Sequence, residues 1–348
     1  MSPKKIGVSE CIRKKLVDNI IYSSLKSLKS LRLVGIPQIG ITQIMKYIFY
    51  RCTESKEWTD FFAIYIDFYE INYFRSEIAD QLLRSGYKIS GIEEMKFNEI
   101  INQAMIAIMN KTPEKKFVLI FNDFQKNLQA SNNINKNTIL TESNCNYIRS
   151  LSEMYPNLLF IINYTYPFDM LLGTDYYINN FTTIPVELLT RKEAETLIQR
   201  NRANSNLGYG HESLEEIYYY GGRHPQLLDK ASETDYGDEN EKKYFIEWIE
   251  RRYIEIMKYI DKNETYQAIP ELSTQDFLYQ IASQKEGMLK NNFPMNKLAE
   301  RYCYIKTNKG QDYWKLFCTH FSDFLINKVE RTKNNNALMM TKYGYICL

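Results

Sequence analysis

The sequence lacks the residue patterns of several common functional classes. Only three histidines occur and none of the six cysteines forms a C-x-x-C pair, so no zinc site of familiar spacing can be assembled. The formal net charge of +2 gives no global field that would favour nucleic acid or membrane. No apolar run of about 18 residues is present. Residues 1–5 lack the apolar core of a signal peptide. We therefore expect a cytoplasmic protein with free thiols and no membrane contact.

One stretch, residues 31–42 (LRLVGIPQIGIT), has the pattern of a buried strand, a loop with two glycines and the start of a helix. A phosphate-binding loop has the form G-x-x-x-x-G-K-[ST]. Gly35, Gly40 and Thr42 stand at that spacing, whereas Ile41 occupies the lysine position. The pattern therefore predicts the shape of a phosphate-binding loop without its most important positive charge.

Apolar runs alternate with helical patterns between residues 31 and 189. The apolar runs are nearly continuous, as in strands buried on both faces of a parallel sheet. We predict five strands, at residues 31–36, 59–68, 116–124, 157–165 and 182–187. Strands that alternate with helices predict an α/β fold with a doubly wound parallel sheet.

Polar residues follow several of these strands directly. They are Asn122 and Asp123 at the end of the third strand, and Asn163 and Thr165 at the end of the fourth. Ligands of doubly wound sheets bind at the carboxyl ends of the strands. We therefore expect these side chains to lie beside the loop that ends at Thr42.

The pattern becomes helical after Leu189. Thr190 and Glu193 form a predicted capping box, and Pro225 occupies the first turn of a later helix. Residues 302–306 and 312–317 predict a β-hairpin, followed by a helix over residues 319–331. Helices combined with a terminal hairpin are typical of a winged-helix module. Residues 8–30 predict a helix, with an apolar stripe that includes Ile20 and Leu28.

Hydrolysis of a nucleoside triphosphate needs backbone amides and a lysine around the phosphates, a hydroxyl on magnesium and an acidic pair after a strand. Thr42 can supply the hydroxyl and Asp123 one carboxylate, so both are candidate Mg ligands. Asn122 replaces the other carboxylate, and Lys46 lies a helical turn beyond the loop and points elsewhere. Since such contacts contribute several kcal/mol each, losing two predicts hydrolysis slower by roughly several orders of magnitude.

Seven segments in order carry a family resemblance: 34–42 and 63–68, 118–125 and 159–165, 184–194, 221–228 (GGRHPQLL) and 314–325. Together they resemble the STAND branch of P-loop NTPases, near AAA+ and archaeal-ATPase-like proteins. The resemblance implies an N-terminal helix (1–30), a P-loop domain (31–189), a helical lid (190–261) and a winged-helix-like domain with a tail (262–348).

The resemblance also implies ATP or ADP with Mg between the sheet domain and the lid. Asn163 would lie near the γ-phosphate, and Arg223 and His224 would reach the nucleotide from the lid. Pro225 would place backbone near the ribose or adenine. The implied nucleotide-binding residues are Gly35, Pro37, Gly40, Ile41, Thr42, Asn163, Arg223, His224 and Pro225.

Three functional hypotheses follow. The leading one is a degenerate NTPase that acts as a regulatory or scaffolding subunit, in signalling or defence, through protein partners or a homo-oligomer. The second is a working ATP-dependent switch with an altered site. The third is a DNA-binding regulator that uses basic residues of the winged helix, such as Lys306 and Lys309.

Overall fold

The computed structural model describes residues 11–67, 74–88, 91, 95, 97–123, 142–165, 180–207, 211–264, 274–284, 288–289, 301–308 and 311–328. The chain divides into two compact units, Met1–Val186 and Glu187–Leu348. Residues 124–141, Lys309 and the tail after residue 328 lie outside the described residues. The division of the second unit into a lid and a winged helix stays a prediction.

The first unit contains a sheet of five parallel strands in the order β2-β3-β4-β1-β5. The strands are β1 (Leu31–Gly35), β2 (Phe61–Asp67), β3 (Lys116–Asn122), β4 (Leu158–Thr165) and β5 (Thr182–Pro185). β2 and β3 are buried along almost their whole length. Burial on both faces explains their unbroken apolar sequences, and the predicted α/β class is confirmed.

Helices of the first unit alternate with these strands along the chain. They are α1 (Tyr22–Lys26), α2 (Ile41–Glu54), α3 (Phe74–Arg84), α4 (Phe97–Lys111) and α5 (Glu142–Met154). The main core lies between the sheet and α3, α4 and α5. It includes the tilted ring pair of Phe62 and Phe117 and the edge-on pair of Phe121 and Phe160. The core fixes β2, β3 and β4, whose ends carry the polar residues described below.

Residues 8–10 of the helix predicted over residues 8–30 lie outside the described residues, and the structure is helical from Lys14 to Lys26. Its turn Leu16–Ile21 is π-helical. The side chains of Val17, Ile21 and Leu25 are buried, whereas those of Ile20 and Leu28 are 52% and 45% exposed. The predicted apolar stripe is therefore wrong at these two residues: the π-helical turn holds an extra residue and turns Ile20 away from the buried face, and Leu28 lies beyond the end of α1 with φ 56°.

The second unit begins with a run of helices. They are α6 (Arg191–Asn204), α7 (His211–Gly221), α8 (Pro225–Glu233), α9 (Glu239–Glu264) and α10 (Thr274–Ser283). The predicted capping box of α6 is confirmed: Thr190 Oγ1 accepts from the Glu193 N–H, and the Glu193 carboxylate accepts from the Thr190 N–H. Pro225 begins α8 as predicted, because its missing N–H has no helical partner in the first turn.

A small antiparallel sheet follows these helices in the second unit. It contains β6 (Met288–Leu289), β7 (Cys303–Asn308) and β8 (Gln311–Leu316) in the order β6-β8-β7. Residues 319–328 are helical. The predicted hairpin is confirmed, since β7 and β8 pair from Cys303–Leu316 to Asn308–Gln311.

The two glycines that end α7 allow close backbone packing inside the second unit. Gly222 has φ +56°, and a Cβ atom on it would lie 1.7 Å from the carbonyl oxygen of Phe317. A Cβ atom on Gly221 would lie 2.6 Å from Cα of Leu228. The Arg223 N–H donates to the Phe317 carbonyl, at an N···O distance of 3.0 Å. The glycine pair therefore joins α7 and α8 to the segment after β8.

Candidate functional site

The loop between β1 and α2 makes a tight turn before the helix begins. Gln38 and Gly40 both have positive φ, at 63° and 91°. The Ile39 N–H donates to the Ile36 carbonyl at an N···O distance of 3.3 Å. Gly40 is the residue before α2, so the left-handed conformation that glycine adopts readily places the loop directly at the helix N-terminus. The backbone thus has a strand-loop-helix path like that of a phosphate-binding loop.

The interior of this loop is filled by apolar side chains. Ile39 and Ile41 are 1% and 8% exposed, and Ile36 is also buried. A Cβ atom on Gly35 would lie 2.7 Å from Cγ2 of Ile39 and 3.3 Å from Cδ1 of Ile41. The side chain at the lysine position therefore packs toward the base of its own loop.

A polyphosphate needs positive charge and hydrogen-bond donors where this loop places hydrocarbon. Residues 35–42 contain no lysine or arginine, and Lys46 stands a full turn into α2. Burying a phosphate against isoleucine removes its hydration without replacement. The loop has the backbone path of a phosphate-binding site, whereas its side chains supply no positive charge for phosphates.

Four polar side chains form a hydrogen-bonded cluster beside the loop. Thr42 Oγ1 donates to Asn122 Oδ1 at 3.1 Å, and Asn163 Nδ2 donates to the same oxygen at 3.4 Å. Asn122 Nδ2 donates to Asp67 Oδ1 at 3.2 Å. Asn122 is 2% exposed and lies opposite Asp67 in the β2–β3 ladder. The predicted meeting of Thr42, Asn122 and Asn163 is confirmed, and we name these four residues the Asn122 cluster.

The amide of Asn122 makes the Asn122 cluster complete without a cation. Its oxygen accepts two hydrogen bonds while its nitrogen donates to the carboxylate of Asp67. A carboxylate at residue 122 would put a second negative oxygen about 3 Å from Asp67, which requires a proton or a metal ion between them. Asparagine needs neither, and its side-chain oxygen accepts the hydrogen bond of the Thr42 hydroxyl.

Asp123 follows β3 in a left-handed conformation, with φ 55°. Its carboxylate and that of Asp67 add to burial in raising the pKa of Tyr65, so the Tyr65 hydroxyl stays protonated. No group of three or more His, Cys, Asp or Glu suited to a metal ion occurs among the described residues. Magnesium binding by Thr42 and Asp123 stays a prediction.

Arg223, His224 and Pro225 lie in the second unit, between α7 and α8. His224 is buried, and its ring lies 5.6 Å from that of Phe317. The Arg223 guanidinium carbon lies 4.2 Å above the ring of Tyr304. These contacts account for the packing of the turn, and a contact between its residues and nucleotide stays a prediction. The roles of Gly35, Pro37, Gly40, Ile41, Thr42 and Asn163 in nucleotide binding likewise stay predictions.

Sequence reasoning missed two features of the site. Asp67 was not among the predicted site residues, yet it accepts the hydrogen bond from Asn122. Ile36 and Ile39 were not singled out, yet they fill the loop with Ile41. The second feature had a signal in the sequence, because three isoleucines among residues 35–42 are unusual for a loop that must meet water and phosphate.

Comparisons with known proteins bear on the fold. No protein-family model and no curated relative matches the sequence. A solved Walker-type ATPase of Pyrococcus abyssi is similar over 91% of this chain and 96% of its own, with a TM-score of 0.58 and 15% identity. The chain has a P-loop NTPase fold. At that identity the likeness shows the fold alone.

Two further solved structures are less similar. The ORC2 protein of Aeropyrum pernix in its ADP form is 13% identical, with a TM-score of 0.48 over 95% of this chain and 96% of its own. AMPPCP-bound DnaA from Aquifex aeolicus is 13% identical, with a TM-score of 0.46 over 95% of this chain and 93% of its own. Both TM-scores are below 0.5, so these two likenesses support no further conclusion.

A search of the described residues for a membrane-crossing helix found none of sufficient length and apolar character.

Proposed function

We propose that the chain is a degenerate AAA+-like NTPase of the STAND branch that acts as a regulatory or scaffolding subunit without efficient ATP hydrolysis. The observation that carries this proposal is the packing of Ile41 and Ile39 over Gly35, inside the loop where phosphates would bind. A nucleotide would have to displace two buried isoleucine side chains and would find no lysine in their place.

The Asn122 cluster supports the proposal independently of the loop. Magnesium prefers carboxylate, hydroxyl and water oxygens in octahedral geometry. The Thr42 hydroxyl here donates to Asn122, and the Asn122 oxygen already accepts two hydrogen bonds. Replacement of the lysine by Ile41 and of the carboxylate by Asn122 should both slow hydrolysis, because each removes a charge that would stabilise the transition state of phosphoryl transfer.

The second unit supplies the surfaces of the proposed scaffold. We assign α6–α9 to a helical lid, and the β7–β8 hairpin with residues 319–328 to a winged-helix-like module. The role through protein partners or a homo-oligomer in signalling or defence is part of the proposal. Cys11, Cys52, Cys303 and Cys318 are buried and not in a disulfide, which suits the proposed cytoplasmic location.

Restoring the missing charges tests the proposal. The variants are Ile41→Lys, Asn122→Asp and the double variant. Ile41→Met is the matched control, because methionine is unbranched like lysine but carries no charge. Titration calorimetry with MgATP and a phosphate-release assay are run on each. We expect no release above background from the natural sequence or Ile41→Met, and a gain of MgATP binding in the double variant.

The opposite outcome is equally well defined. If the natural sequence releases phosphate and Thr42→Ala abolishes that release, the chain is the working ATPase of the second hypothesis. The DNA-binding hypothesis has its own observation, since Lys306 and Lys315 lie on one face of the β7–β8 hairpin. A salt-dependent shift of duplex DNA that Lys306→Gln removes would support it.

A further inference from the structure

An open groove of about 1320 Å³ lies within the second unit. One wall is the β7–β8 hairpin. Tyr304 pairs with Lys315 across the hairpin, and Lys306 lies two residues further along β7, so all three share one face. Other lining residues come from α7 and from residues 319–328, and they include the acids Glu215, Glu216 and Asp323.

Arg223 lies in this groove with its position fixed. Its N–H donates to Phe317 and its carbonyl accepts from the Leu189 N–H, both at an N···O distance of 3.0 Å. Its guanidinium stacks on Tyr304 at 4.2 Å. Among the described residues, no carboxylate lies within salt-bridge distance of this guanidinium. A stacked arginine held in this way keeps the edge of its planar fork available to a carboxylate.

The acidic wall of the groove has partners of its own. Asp323 accepts a hydrogen bond from the Tyr219 hydroxyl at 2.7 Å. Glu216 pairs with Lys242 at 2.9 Å. The groove therefore combines the basic residues of the hairpin and a stacked arginine with acids, of which Asp323 and Glu216 already have partners. A nucleic acid strand would bring phosphates against these acids, whereas a peptide can place carboxylates at Arg223 alone.

We propose that this groove binds an acidic segment of a protein partner, whose carboxylate is received by Arg223 with support from Lys306. The partner class rests on the proposed function, in which the chain acts through protein contacts. The groove lies wholly in the second unit, so its variants leave the phosphate-loop residues unchanged.

An array of random dodecapeptides tests this inference with the full chain as probe. We expect the bound peptides to be enriched in Asp and Glu. The best binder is then made in solution, and its affinity is measured by fluorescence anisotropy. Arg223→Gln should weaken binding about tenfold or more. Arg223→Lys should give an intermediate loss, because it keeps the charge without the fork, and Arg223→Glu should shift the selected peptides toward Lys and Arg.

Lys192→Gln is the matched control, since Lys192 is an exposed lysine of α6 that does not line the groove. Its binding should equal that of the natural sequence, and thermal unfolding checks that every variant is folded. Lack of acidic enrichment, or unchanged binding by folded Arg223→Gln, would overturn the inference. If oligothymidine or duplex DNA displaces the peptide, and this too depends on Arg223, the ligand of the groove is a nucleic acid and the inference is overturned.

These outcomes are separable from those of the proposed function. The Ile41→Lys, Asn122→Asp double variant should bind the selected peptide as tightly as the natural sequence does. ATP hydrolysis by the natural sequence would contradict the proposed function without affecting the conclusion about peptide binding. Failure of the peptide experiment would leave the phosphate-loop argument unchanged.

Discussion

Replacing Gly222 by alanine should destabilise the second unit severely. The residue has φ +56°, and this left-handed conformation costs an L-residue roughly 1–2 kcal/mol. The added methyl would lie 1.7 Å from the Phe317 carbonyl oxygen, so the two backbones must separate. Separation weakens the hydrogen bond from Arg223 to Phe317, worth about 1 kcal/mol. It also disturbs packing around the buried Phe317, at about 1–3 kcal/mol for overpacking. Together these effects predict a loss of about 3–6 kcal/mol, a large part of a typical domain's stability.

Urea unfolding monitored by tryptophan fluorescence measures this loss. Trp248 and Trp314 lie in the second unit and Trp58 in the first, so a Trp58→Phe background restricts the signal to the second unit. Gly237→Ala is the matched control, because the nearest atom to its new methyl is a side-chain oxygen of Asp235 at 3.3 Å. We expect that control to stay within about 0.5 kcal/mol. A Gly222→Ala variant within about 1 kcal/mol of its parent would refute the close-packing account.

Two further predictions concern buried titratable groups. Burial, more than any neighbouring charge, lowers the pKa of His320 below its ordinary 6.5. As the pH falls, the unfolded chain therefore takes up this proton before the folded chain does. The free energy of unfolding should be unaffected by this group above about pH 6.5 and should decrease below it. In the His320→Gln variant, the urea midpoint should change less between neutral and acidic buffers. Burial raises the pKa of Cys318 to about 12 and that of Cys52 further. Iodoacetamide should therefore label both at least about 100-fold more slowly in native protein than in urea, as read by mass spectrometry.

The fold was predictable from the sequence because its signals are local and repeated. The strand patterns at 59–68 and 116–124 lie within a residue or two of β2 and β3, since burial on both faces leaves an unbroken apolar run. The capping box at Thr190 needs only residues three apart. The apolar stripe predicted for the N-terminal helix is wrong at Ile20 because no sequence pattern indicates the π-helical turn, and at Leu28 because the helix ends at Lys26.

The candidate site was predictable in its position and much less so in its chemistry. The predicted strand ends indicated that Asn122 and Asn163 lie near Thr42, because parallel strands end at one edge of the sheet. The sequence showed that a lysine was missing at Ile41, whereas the direction of that side chain depends on Gly35 below it. The bond from Asn122 to Asp67 depends on the register between β2 and β3, which the sequence does not state.

The contact between Gly222 and Phe317 has a consequence for the order in which the protein is made. The two residues are far apart in the chain, and the ribosome releases α7 and α8 long before the segment after β8. The close packing at Gly222 can form only after Phe317 has emerged, so the helices of the second unit must wait in an incomplete state during synthesis. The first unit can close its sheet as soon as β5 has been made. Chaperone dependence during translation should therefore fall mainly on nascent chains in which β5 has emerged from the ribosome and Phe317 has not.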